Sequence, residues 1–100
     1  MAEFGGVGET ERRRLLEALC SLESVDEASA LLSDLCTPRE IEDLSQRLEV
    51  ATMLAAGASY VDVSHATGAS STTVSRVSKC LNGTAGGYRL VLSRLDGGRA

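Results

Sequence analysis

Aromatic side chains are scarce in this chain: Phe4, Tyr60 and Tyr88 are the only ones among its 100 residues. Any core must therefore be aliphatic, and one domain of this length buries only roughly two thirds of the surface that its unfolded chain exposes. Histidine is scarcer still. His65 stands alone, without a cysteine or second histidine at ligand spacing, so neither a metal site nor a Ser/His/Asp or Cys/His constellation can be built on it. No carboxylate pair is arranged for acid–base work either, and no catalytic residue is assigned. The three cysteines, Cys20, Cys36 and Cys80, are an odd number with no CxxC pair, which excludes a disulfide framework and reads instead as small core residues in a reduced compartment. There is no apolar run near the ~20 residues of a membrane span, and "MAEFGGVGE" offers no basic stretch ahead of an apolar one. A cytoplasmic protein with no membrane partner is expected. "AGG" at 85–87 lacks the strand and pattern of a phosphate loop and reads as a flexible joint before a final helix from Tyr88 to Leu95; no required cofactor is expected.

Positive charge is also in short supply. A formal net charge of -4 excludes a uniformly basic nucleic-acid coat, but the average hides an asymmetry. Residues 1–56 hold 12 acidic and 5 basic side chains, whereas residues 57–100 hold only Asp62 and Asp96 against Arg76, Lys79, Arg89, Arg94 and Arg99. An anionic partner would meet the second half.

What the chain does have is helix signals. Leucines 15, 16, 19 and 22 recur at helical spacing after Glu9 and Glu11, predicting a first helix from Glu9 to Leu22. "SVDE" is a capping box, with Ser24 as cap and Glu27 as its partner, opening a second helix that ends near Cys36. "TPRE" opens a third: Thr37 caps, Pro38 takes the first helical position, and no breaker follows until Gly57. This third helix carries two apolar stripes, Ile41, Leu44, Leu48, Ala51 and Ala55 on one, Val50, Met53 and Leu54 on the other. Both need covering, by a second copy of the chain or by the first two helices. The predicted organisation is a flexible arm at 1–8, one helical domain at 9–95 and a flexible tail at 96–100. "ERRR" at 11–14 reads as a solvated helix face, with auxiliary phosphate contact as the other reading.

The next segment is the most informative. Ser59 caps a short helix with Val63 and Ala66 inward, Gly68 ends it, Ser70 caps again, and Val74, Val77 and Leu81 form an i, i+3, i+7 stripe. Two short helices across a tight glycine turn, here at 59–82, make a helix-turn-helix unit. The outward face of the second helix is Ser71, Thr72, Ser75, Arg76 and Lys79, with Thr73 at its entrance. Ser and Thr are poorer helix formers than the Glu, Lys, Gln and Ala of an ordinary solvated face. Short hydroxyls let a helix approach a base edge or phosphate, Arg76 offers a bidentate donor pair to guanine, and Lys79 offers a point charge to a phosphate. The helix N-terminus adds unpaired N–H groups. The candidate DNA-binding residues are therefore Ser59, Ser70, Ser71, Thr72, Thr73, Ser75, Arg76 and Lys79. The bland reading makes these hydroxyls caps and surface filler, and His65, on the first helix of the pair, a surface or phosphate-side residue.

Across "LLSDLCTPREIEDLSQRLEVATMLAAG", "SYVDVSHATGASSTTVSRVSKCL" and "NGTAGGY" the chain resembles the Trp-repressor-like superfamily, most closely its YerC/YecD branch. The resemblance implies an all-α, intertwined helical homodimer with two helix-turn-helix reading heads, acting on double-stranded DNA as a transcriptional regulator. Two-fold symmetry then implies a palindromic operator with half-sites roughly 34 Å apart or a multiple of it. It also implies an effector pocket flanked by two arginines, matched here by Arg47 and Arg76, with Cys80 where the family has a serine. Val77 stands where the repressor pattern has a glycine, and its branched bulk counts against a flat indole in that slot. A small-molecule corepressor of unknown identity is the corresponding expectation, while a salt bridge to Asp43 or another carboxylate is the alternative role for Arg47. The alternative function is a helical protein-interaction module that kept the fold and lost DNA binding, which the acidic balance and the two cations of the reading helix favour.

Overall fold

The structure is a computed structural model and describes residues 8–97. The arm and tail expected at 1–8 and 96–100 lie outside the described residues except for Gly8, Asp96 and Gly97. Six α-helices, and no strand among the described residues, follow in order: α1 (Glu9–Cys20), α2 (Val25–Leu35), α3 (Pro38–Ala55), α4 (Tyr60–Thr67), α5 (Ser71–Leu81) and α6 (Gly87–Gly97). The architecture is all-α, as read from the sequence. The last helix starts one residue before the expected Tyr88 and runs two beyond the expected Leu95.

Local chemistry explains the boundaries. The Ser24 hydroxyl accepts the Glu27 N–H at 3.1 Å, and the Glu27 carboxylate accepts the N–H of Glu23 at 2.8 Å, so the reciprocal arm of the box lands one residue before the cap. Ser59 and Ser70 accept from the N–H groups of Asp62 and Thr73, each at 3.1 Å. Each such cap stabilises its helix by about 1 kcal/mol. At the other end of α3, Gly57 adopts φ 94°, its N–H reaching Leu54 O and the Ala58 N–H reaching Met53 O, both at 3.0 Å. That left-handed residue closes a Schellman motif, which satisfies carbonyls the helix end would leave orphaned. On α1, Arg12 pairs with Glu9 at 3.4 Å and Arg13 with Glu17 at 3.3 Å. The "ERRR" cluster is thus largely a solvated face of local ion pairs, worth a few tenths of a kcal/mol each.

The chain divides after Pro38 into two compact units, one carrying α1 and α2, the other running from Arg39 onward. Neither α1 nor α2 buries a residue. In the second unit Val50, Ala51, Val63, Ala69, Val74, Val77 and Leu92 are buried together, with Met53, Leu54, Leu81 and Tyr88 packed against them. Of the two α3 stripes, that of Val50, Met53 and Leu54 faces this core and Ala51 of the other joins it, whereas Leu44 and Leu48 of that other stripe remain exposed. The cysteines correct an expectation. Cys20 and Cys80 are exposed and Cys36 is half-buried, so they are not core residues. The cause is position: Cys20 is the last residue of α1, and Cys80 lies on the flank of the inward α5 stripe instead of within it.

Among the described residues no helix is long and apolar enough to cross a membrane, and no group of three or more His, Cys, Asp or Glu side chains could hold a metal ion.

Candidate functional site

The helix α5 has two unlike sides. Val74 and Val77, 0% and 3% exposed, face the core, and Leu81 continues the stripe half-buried. Ser71, Thr72, Ser75, Arg76 and Lys79 are all exposed. Arg76 and Lys79 form no hydrogen bond or ion pair among the described residues, so both cationic groups are available to an anion. Thr73 is half-buried and accepts a hydrogen bond from the Ser70 hydroxyl at 3.2 Å. The Ser59 and Ser70 hydroxyls already accept backbone N–H groups as caps, so at those two positions the cap function is present together with the exposure.

The turn that joins α4 to α5 is held by its own residues. Gly68 takes φ 75°, a left-handed conformation that favours glycine, and its N–H donates to Ser64 O at 2.9 Å. The Thr67 hydroxyl donates to Val63 O at 2.7 Å and accepts the Ala69 N–H at 3.2 Å. The Ser64 hydroxyl donates to Ala69 O at 2.6 Å. Further along, the Tyr60 hydroxyl donates to Ser78 Oγ at 2.6 Å, tying the start of α4 to the last turn of α5. From α6, Arg89 donates to the Leu81 carbonyl. Apolar burial chooses the inner face of α5, and directional bonds hold both of its ends.

Beside this face lies a cleft of about 520 Å³ whose walls come from α3, α5 and the start of α6. Arg39, Asp43 and Arg47 line one side, Arg76, Val77 and Cys80 the other, with Tyr88 at the edge. The three residues expected to meet an effector, Arg47, Arg76 and Cys80, therefore share one cavity. Its ionic pattern differs from the expected salt bridge. The Asp43 carboxylate pairs with Arg39 at 3.2 Å, while Arg47 Nε donates to the main-chain carbonyl of Asp43 at 3.3 Å. Arg39 competes for the same carboxylate from four residues before it, one helical turn away, so Asp43 serves Arg39 with its side chain and Arg47 with its backbone. Three guanidinium groups and one carboxylate leave the lining cationic. Val77 belongs to the cleft wall and to the buried core at once, so its methyl groups are held in place where the family pattern leaves room.

Sequence reasoning missed Arg39, Gln46 and Tyr88 as neighbours of this site and named Asp43 only as an ionic partner for Arg47. Arg39, Asp43 and Gln46 are spaced four and three apart, a helical stripe that places them beside Arg47, but nothing in the chain before the turn says which helix they face. His65 is exposed on α4.

Comparison with known proteins agrees with this architecture. Residues 11–96 match the Trp repressor protein family. The chain is 42% identical over 85 residues to the uncharacterized protein YerC of Bacillus subtilis, covering 85% of this chain and 82% of that protein. Among solved structures, a TrpR-like protein from Eubacterium eligens superposes with a TM-score of 0.80 at 45% identity, covering 86% of this chain and 89% of its own. A candidate Trp repressor from Staphylococcus aureus superposes with a TM-score of 0.85 at 33% identity, covering 96% of each chain. With the helical order, the polar face of α5 and the family match in agreement, the chain belongs to the Trp repressor family.

Proposed function

We propose that this protein is a sequence-specific DNA-binding transcriptional regulator, a repressor that acts as a homodimer on a palindromic operator. In this reading α4 and α5 are its helix-turn-helix, and α5 enters the major groove. The observation that carries the reading is the division of α5 into a buried Val74/Val77 side and an exposed side of Ser71, Thr72, Ser75, Arg76 and Lys79. Arg76 reads a base edge, Lys79 meets a phosphate, and the capped N-terminus of α5, with Ser70 and Thr73, faces the DNA backbone. Ser59 presents the start of α4 to a neighbouring phosphate.

The homodimer is supported by apolar side chains that the single chain leaves in solvent. Leu15, Leu16 and Leu19 on α1, Leu44 and Leu48 on α3, and Leu90 and Leu95 on α6 are each between 37% and 54% exposed. Exposed leucines on each of these helices fit apolar faces that a second copy closes. The same reading places the protein in the cytoplasm, as a binding protein with no catalytic step and no required cofactor.

A second element is an effector site. The shared cleft lined by Arg47, Arg76 and Cys80 favours a small molecule with a negative charge, and the fixed bulk of Val77 counts against tryptophan. The reading is tested by selecting genomic DNA fragments on the purified protein, with and without added aromatic amino acids. Enrichment of a small set of fragments sharing a two-fold related sequence, unchanged by the additives, is the expected result. Failure of the folded protein to retain any fragment at low salt would instead favour a protein-interaction module.

A further inference from the structure

We infer that Gln46 is a positioning residue for DNA reading: its side-chain amide, bonded to the Thr67 carbonyl, sets where α5 begins relative to α3. The inference rests on the reading of α5 as the DNA-contacting helix.

The argument starts from the backbone of the α4–α5 turn. Gly68 and Ala69 place their N–H groups on Ser64 O and Thr67 Oγ1, and the Ala69 carbonyl accepts from Ser64. Each of these partners lies within five residues, so together they shape the turn and say nothing about what it is attached to. The Thr67 carbonyl is different. It ends α4, where helix carbonyls lose their intrahelical donors, and it accepts a hydrogen bond from Gln46 Nε2 at 3.1 Å, 21 residues earlier in the chain. Only the amide nitrogen of a glutamine can donate to a carbonyl, so the direction of this bond is chemically determined. The bond is partly buried, and a Cβ built on Gly68 would come to 4.0 Å from the same nitrogen. The amide thus lies directly over the turn.

Among the described residues α3 also meets the α4–α5 pair through apolar burial, with Val50 and Ala51 in one cluster with Val63, Ala69, Val74 and Val77. Burial of this kind is strong and non-directional, so it holds the helices together while tolerating small slides. Base-edge recognition does not tolerate them, because a recognition group has to be held within about 0.5 Å of its productive place. A directional bond at the N-terminal end of α5, complemented by Arg89 on Leu81 O at its C-terminal end, supplies that precision. Gln46 touches no DNA in this account. It acts through Thr67 and Gly68 on the placement of Ser71, Thr72 and Arg76.

The test uses Gln46→Met, which keeps a similar length and helix propensity and removes the donor, and Gln46→Glu, whose carboxylate has no proton to offer the carbonyl at neutral pH. Three quantities are measured on the full chain: affinity for a fragment selected by the wild-type protein, affinity for random DNA, and hydrogen exchange at the Gly68 and Ala69 amides. Gln46→Met is expected to bind the selected fragment about tenfold more weakly, the worth of about one hydrogen bond, with random-DNA binding held within about twofold; Gln46→Glu adds a carboxylate that weakens binding to any DNA, and its loss on the selected fragment should exceed its loss on random DNA by a similar factor. Exchange at the two amides should quicken while the unfolding midpoint changes little. Equal weakening on both DNAs together with a lower midpoint would overturn the proposal, since that is the signature of a merely structural bond. Faster exchange with unchanged affinity for the selected fragment would overturn it as well. If the wild-type protein selects no sequence, the DNA reading fails and the positioning role falls with it, and the exchange data then show separately whether the tie to Thr67 exists.

Discussion

The two compact units of this chain are both helical, yet only one of them has an interior. Every buried side chain of the described residues lies in α3 to α6 or in the turn between α4 and α5, whereas α1 and α2 bury none. Their helices are nevertheless well specified, by the Ser24 cap and by ion pairs one turn apart. The difference teaches that helix formation and core formation are separate properties of the sequence. Caps and local pairs define a helix, and only apolar surface from another element gives its face somewhere to go. In α5 both conditions are met within one unit. In α1 the second is not, and Leu15, Leu16 and Leu19 stay more than 40% exposed.

The largest expected effect comes from breaking the interior. Val63→Asp would place an unpaired carboxylate where the side chain is 0% exposed, a cost of at least about 3 kcal/mol that should remove the cooperative thermal transition. Leu16→Asp introduces the same charge at a residue 44% exposed, and should leave the transition of the isolated chain nearly intact. Its effect is expected in sedimentation, as conversion of the proposed homodimer to a monomer. If Leu16→Asp instead leaves association unchanged, the exposed leucines of α1 are not the surface that joins two copies.

A smaller effect sharpens the comparison from the side of local structure. Ser24→Ala and Ser70→Ala each remove a side-chain acceptor from an N-cap, at about 1 kcal/mol. Circular dichroism and thermal melts should show similar losses for the two, because a cap acts on its own helix whether or not that helix has a core. Ser70→Ala should in addition weaken DNA binding slightly. A much larger loss for Ser70→Ala would mean that the entrance of α5 depends on its cap for tertiary placement as well.

The local layer of this structure was legible in the sequence because its causes are local. The caps at Ser24, Ser59 and Ser70, Pro38 at a helix start and the glycine stops at 57 and 68 all act within a few residues, and the helices follow them closely. The Val74/Val77 stripe was legible for the same reason, since periodicity names an inner face. Two kinds of feature were not. The cysteines were expected inside from residue type alone, yet Cys20 ends a helix and Cys80 flanks a stripe, and position overrode composition. Asp43 has an arginine four residues to either side, Arg39 and Arg47, and spacing alone does not choose between them, while the reach of Gln46 to Thr67 depends on which side chains the fold brings together, since no spacing rule encodes a contact across 21 residues.

The central claim is that the outer face of α5 reads DNA, and Arg76 and Lys79 test it most directly because the account assigns them different tasks on one helix. Affinities of Arg76→Ala and Lys79→Ala are measured on a selected fragment and on random DNA at fixed salt. Arg76→Ala is predicted to cost about 1–3 kcal/mol on the selected fragment and to relax one base position, while Lys79→Ala weakens both DNAs alike. Equal losses from the two substitutions on selected and random DNA would contradict direct reading by Arg76.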